Sequence, residues 1–136
     1  MGKLAQDYHP LGHATQIIGG ADTLTDGTTG LKGSKLVVAD TTVDGAYKTA
    51  TAELAAAAVL LDDTTNGKPG RLFLGPGDVP VLSAAAISRG DDVCVGTSGR
   101  AKTAVAGAPR IGQALEAASG ADVEIMIHFL PKLKDS

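Results

Sequence analysis

Aromatic residues make up only 3% of this chain, and tryptophan is absent. Aromatic rings supply the stacking platforms for single-stranded nucleic acid and dominate many interface hot spots. Their scarcity argues against a base-stacking surface. Positive charge is also short: 12 Lys and Arg stand against 15 Asp and Glu, a formal net charge of −3. Neutralising phosphates needs a basic patch, and here the cations are scattered, so nucleic acid is not an expected partner. The single cysteine, Cys94, excludes an intrachain disulfide and fits synthesis in a reducing cytoplasm. No apolar run approaches the ~20 residues that span a bilayer, and residues 1–7 lack the apolar core of a signal peptide, so no membrane contact is expected.

What the chain does contain is glycine, 18 in all, set between short runs of Val, Ile, Leu and Ala. At 136 residues the expectation is one domain with a lean aliphatic core. The clearest unit is residues 87–129. A turn at Ser88-Arg89-Gly90-Asp91 leads into Asp92-Val93-Cys94-Val95. The turn Thr97-Ser98-Gly99-Arg100 leads back into residues 101–106. Ala108-Pro109 breaks the chain before residues 110–117, and Ser119-Gly120-Ala121-Asp122 leads into the last strand, 123–129. There Val123, Ile125, Ile127 and Phe129 share one face by the strand period of two and are assigned to the core.

A weaker copy lies upstream at residues 31–74. Residues 31–38 parallel 87–95, Asp44-Gly45-Ala46-Tyr47-Lys48-Thr49-Ala50 parallels Ser98-Gly99-Arg100-Ala101-Lys102-Thr103-Ala104, residues 58–61 parallel 113–116, and 70–74 stand for the final strand. Two copies of about 43 residues are too few for a solenoid and point to one small barrel or sandwich. The expected organisation is an extended N-terminal arm over residues 1–30, a first repeat at 31–74, a linker at 75–86, a second repeat at 87–129 and a short tail at 130–136. The arm is too poor in apolar groups to offset the ~1–2 kcal/mol per residue that ordering costs, so it is expected either to be a flexible terminus or to order against another surface. Helix is limited to one or two short pieces. Ser83 to Gly90 is the main candidate, with Ser83 as N-cap and Gly90 as the residue past the end. Pro80 suggests that residues 79–82 form an edge strand.

Motifs with chemistry are weak. The Asp22 and Asp62 segments resemble the start of calcium loops, but their twelfth positions are Gly33 and Phe73 where a bidentate Glu is needed. Residues 27–35 lack the Gly-Lys-Ser/Thr order of a phosphate loop. His9 and His13 flank Pro10 and Gly12, which discourages a helix bearing both; His128 reads as a half-exposed strand residue or an interface residue. Arg89-Gly90-Asp91 reads as a turn. The serines form no Ser/His/Asp order. The expectation is therefore no catalytic residues, no metal and no cofactor.

The Gly-Asp turn into a strand, SGRAKTA, IGQALEAA and the Gly turn into VEIMIHF resemble the lambda-like head-decoration (cement) proteins of tailed phages. Tyr8-His9-Pro10-Leu11-Gly12 and the Gly/Thr-rich leader resemble that family's N-terminal arm. The resemblance spans roughly residues 8–130. It implies a β-tulip-like barrel or sandwich and a non-enzymatic structural protein on the outer surface of an expanded phage head. The implied partners are the major capsid protein and the chain itself, as a homotrimer at three-fold or quasi-three-fold positions. Tyr8, Leu11, Ile17 and Ile18 are the expected capsid contacts. The alternative from another class is a small carrier barrel of the biotinyl or lipoyl type. That would need a lysine at an exposed hairpin tip, for which Lys48 and Lys102 are the candidates.

Overall fold

The computed structural model describes residues 13–20 and 22–130. Nearly all regular structure in it is β, in three sheets. The first is a closed barrel of β1 (His13–Ile18), β5 (Ala46–Thr49), β4 (Lys35–Ala39), β6 (Ala58–Leu60) and β8 (Pro69–Phe73), in that order. The second runs β11 (Ala101–Thr103), β10 (Asp92–Val95), β12 (Arg110–Ala114), β13 (Glu124–Phe129) and β9 (Gly77–Leu82). A small third sheet pairs β2 (Asp22–Thr23), β3 (Thr29–Leu31) and β7 (Thr64–Thr65).

The two large sheets are copies of one another. Read from β5, the first runs β5-β4-β6-β8-β1, and the second runs β11-β10-β12-β13-β9. The registers agree residue by residue. Val38 faces Lys48 as Cys94 faces Lys102. Leu36 faces Val59 as Asp92 faces Gln113, and Val59 faces Phe73 as Gln113 faces His128. Phe73 faces His13 as His128 faces Asp78. Closure matches too: Ile18 pairs in parallel with Tyr47, and Ser83 bridges in parallel to Ala101. Left-handed backbone recurs at matching positions, with φ of 64° and 90° at Ser34 and Gly90, 73° and 70° at Gly45 and Gly99, 63° and 84° at Glu53 and Gly107, and 81° and 61° at Gly67 and Asp122. Side chains at these turns have diverged, but the backbone path has not.

The core divides accordingly. Ile18, Leu31, Val37, Ala58, Leu60 and Leu72 fill the first barrel. Ile125, Ile127 and Phe129 point into the second half, as the period of two requires, beside Val79, Val81, Val93 and Ile111. Leu36, Ala50, Ala56 and Val59 of the first half belong to that second cluster. They lie outside the first barrel and are covered by the second half. Each large aliphatic side chain buried this way contributes about 1.5–3 kcal/mol.

Three sequence expectations move. The body begins well before residue 31: β1 takes backbone partners from β8 and β5, and β2 and β3 pair with each other, so residues 13–18, 22–23 and 29–30 lie within the sheets. Residues 77–82, read as part of a linker, are the strand that completes the second sheet, with Pro80 on an end strand. Ser83 to Gly90 is not helical; among the described residues the only helical piece is a 3₁₀ turn at Thr97–Gly99. Ser83 is fully buried instead, donating from Oγ to the Gly120 carbonyl and accepting the Val123 N–H, at 2.6 and 3.1 Å.

Candidate functional site

Of the four expected capsid contacts, Tyr8 and Leu11 lie outside the described residues. Ile17 is a β1 residue whose backbone registers with Pro69 and Ala46. Ile18 is corrected: it is completely buried in the first barrel and is not a surface anchor. The reason is local. Gly70 lies across the sheet, and a Cβ there would stand 2.8 Å from Ile18 Cγ1. Glycine makes the hole that the isoleucine fills.

The junction between the halves is held by backbone and side-chain hydrogen bonds, an ion pair and an aromatic contact. The Leu82 N–H donates to the Ser34 carbonyl and the Glu53 N–H to the Val95 carbonyl, each at 2.8 Å. Ser34 Oγ donates to Glu124 Oε2 at 2.5 Å, and Lys102 Nζ pairs with Glu53 Oε2 at 2.5 Å. The Glu53 hydrogen bond, ahead of the smaller opposing effect of desolvation, raises the Lys102 pKa. The Phe73 and Phe129 rings lie 6.4 Å apart, tilted by 52°. Phe73 also closes over Gly77, where a Cβ would sit 2.9 Å from its Cζ. Gly99 packs so near the Leu36 carbonyl that a Cβ would stand 2.7 Å away. Beside the junction is a cavity of about 530 Å³ lined by Asp22, Lys32, Lys35, Leu82, Ser98, Arg100 and Asp122. Four of its ionic side chains are paired, Lys35 with Asp22 and Arg100 with Asp122, each at 2.8 Å. Burial opposes ionisation of Asp22, but hydrogen bonds from Lys35 Nζ and the Lys32 N–H, with their charges, hold its pKa below the usual value.

A second cavity, of about 260 Å³, opens on the far side of the second half, lined by Asp92, Arg110, Gly112, Gln113, His128 and Leu130. Arg110 pairs with Asp92 at 2.5 Å, and His128 Nδ1 meets Asp78 Oδ1 at 2.8 Å. Gln113 Nε2 donates to the Gly90 carbonyl at 3.0 Å. Gly112 lies so close to the His128 carbonyl on the neighbouring strand that no Cβ fits between them. Sequence reading took His128 as a half-exposed strand residue or an interface residue. Only the fold brings Asp78, fifty residues away, against it.

The remaining motifs are accounted for by structure. Asp91 of the Arg-Gly-Asp triplet accepts from the Ser88 N–H and Thr103 Oγ1, closing its own turn. Cys94 is fully buried. Lys48 and Lys102 lie within β5 and β11, not at hairpin tips, which removes the geometry a carrier lysine needs. Among the described residues no three His, Cys, Asp or Glu side chains are grouped to hold a metal ion, and no helix is long and apolar enough to cross a membrane.

Fold and surfaces together define an all-β protein of two duplicated halves, joined through one apolar face and carrying an open counterpart of that face. In fold it is similar to the crystal structure of the head fiber gp8.5 N base in bacteriophage phi29. The TM-score is 0.69 at 16% sequence identity, with the likeness covering 90% of this chain and 98% of that one. At that identity the likeness is one of fold. No family model and no curated protein matches the sequence.

Proposed function

We propose that this chain is a structural protein of a phage head, a non-enzymatic decoration or cement protein on the outer surface of the shell. The observation that carries this reading is the fold shared, nearly end to end, with a phage head fiber base. The resemblance of residues 87–129 to head-decoration proteins points the same way from sequence. In this proposal the two-part β-body sits on the expanded head as a homotrimer at three-fold or quasi-three-fold positions. Residues 1–12, with Tyr8 and Leu11, reach neighbouring major capsid protein subunits. One protein touching several subunits ties their separation together, because all contacts must be lost at once.

The test is co-sedimentation with expanded, undecorated heads of the cognate phage. Full-length protein binds and raises the temperature at which the heads open. Protein lacking residues 2–12 keeps its circular dichroism spectrum but binds weakly. Equal binding by both removes the role of residues 1–12; no binding by either removes the proposal.

A further inference from the structure

The duplication shows what the second cavity is. In the first half, Leu36, Ala56, Val59 and Phe73 form the face that the second half covers. The register places Asp92, Gln113 and His128 at the positions of Leu36, Val59 and Phe73, and Arg110, two residues before Gly112 as Ala56 is before Ala58, follows in chain order. These four line the open cavity of about 260 Å³. One face is thus used twice, once covered within the chain and once left open.

The contact inside the chain is not reciprocal. Leu36 meets Gly99, Phe73 meets Phe129, and Glu53 meets Lys102. A two-fold arrangement would also set Asp92 against Gly45 and His128 against Leu74, but Asp92 and His128 line the cavity instead. The halves are therefore stacked head to tail, and a head-to-tail contact repeated between copies gives a ring where its rotation closes and an open filament where it does not.

We propose that the open face of the second half receives the first half of another copy of this chain. The intrachain contacts name those between copies: Gly45 of the neighbouring copy against Asp92, its Leu74 against His128, and its Lys48 beside Gly107. Both mating surfaces carry exposed apolar side chains, Val43 at 52% next to Gly45, and Leu130 at 50% next to the cavity. Polar residues replace Leu36, Ala56, Val59 and Phe73 on the open face, so copies separate where halves do not. A closed ring of such copies displays twice as many similar halves as chains. This inference names the surfaces a trimer would use; it rests on the duplication and not on capsid binding.

The test mixes chains carrying Lys48→Cys with chains carrying Ala106→Cys, both away from the core, and adds a short bismaleimide. Cys94, fully buried, does not compete. The mixture gives cross-linked dimers and either variant alone gives none. A chain carrying both cysteines gives a ladder that stops at the ring size. Asp92→Leu with Gln113→Val, which restores the apolar character of Leu36 and Val59, lowers the concentration for half-association at least tenfold in sedimentation. Dimers from one variant alone, a sample monomeric throughout, or cross-linking only after heads are added each overturn the proposal. Capsid binding is read in a separate assay, so its failure is distinguishable.

Discussion

Ile18 and Ser83 occupy the same position in the two halves of the molecule. Each is fully buried, and each bridges in parallel to its own sheet, to Tyr47 and to Ala101. Each also makes the same backbone pair. The Ile18 N–H donates to Lys68 at 3.1 Å and its carbonyl accepts from Gly67 at 2.7 Å; Ser83 does the same with Val123 at 2.9 Å and Asp122 at 2.7 Å. One side chain is held by packing and the other by hydrogen bonds.

The two positions respond differently to truncation. Ile18→Ala leaves a hole beneath Gly70 and costs about 2–5 kcal/mol. Ser83→Ala leaves the half-buried Gly120 carbonyl and Val123 N–H without their hydroxyl partner and costs about 1–3 kcal/mol. Urea unfolding followed by circular dichroism measures both, and a cost near zero at Ile18 contradicts its place in the core.

Removal of residues 2–12 leaves a folded body, whereas removal of 2–18 does not. The longer cut takes β1, and with it the hydrogen-bonding partner of β8 and the closure against β5. Amide exchange in β5 and β8 distinguishes the two truncations.

Leu36→Asp writes the second half's Asp92 into the covered copy of the face. An unpaired carboxylate then sits under the second half at a cost above about 3 kcal/mol. The expected result is a large fall in the urea midpoint, while Asp92→Leu changes it little.

Acid stability carries the signature of Asp22. Its folded pKa is depressed from 3.8, so its contribution is present above that value and is lost as pH falls through the lower, folded one. Asp22→Asn removes this part of the acid dependence. It also leaves Lys35, 6% exposed, without its ion pair, so stability falls at neutral pH as well. Urea midpoints from neutrality to below the depressed pKa test both.

Most of the second half was legible because its strands alternate cleanly and its turns are marked by Gly. The Lys48 and Lys102 match drawn from Tyr-Lys-Thr and Ala-Lys-Thr is the register of the two β-ladders. The match of residues 58–61 to 113–116 was one residue off, since Val59, not Ala58, aligns with Gln113. The leading strand of the first repeat was hidden, and that of the second was legible only as an extended edge segment, 79–82, inside a linker. His-Ala-Thr-Gln-Ile-Ile and Gly-Asp-Val-Pro-Val-Leu share no pattern, and their common role lies in backbone pairing that any sequence able to extend can satisfy. Ser83 to Gly90 reads as helix from its ends, but the Ser83 pairings with Val123 and Asp122 win over local propensity. The open face escaped notice because its meaning lies in positions where Asp, Arg, Gln and His replace aliphatic and aromatic residues, which breaks the sequence similarity that would align them.

The covered face also sets an order of events at the ribosome. Residues 13–73 emerge first and supply every strand of the first barrel, yet Leu36, Val59 and Phe73 on its outside have nothing to cover them until residues 77–129 follow. At translation rates of about 5–20 residues per second, that exposure lasts for seconds. The nascent first half is therefore the stage at which this chain is most open to chaperones and to mispairing between neighbouring polysomal chains.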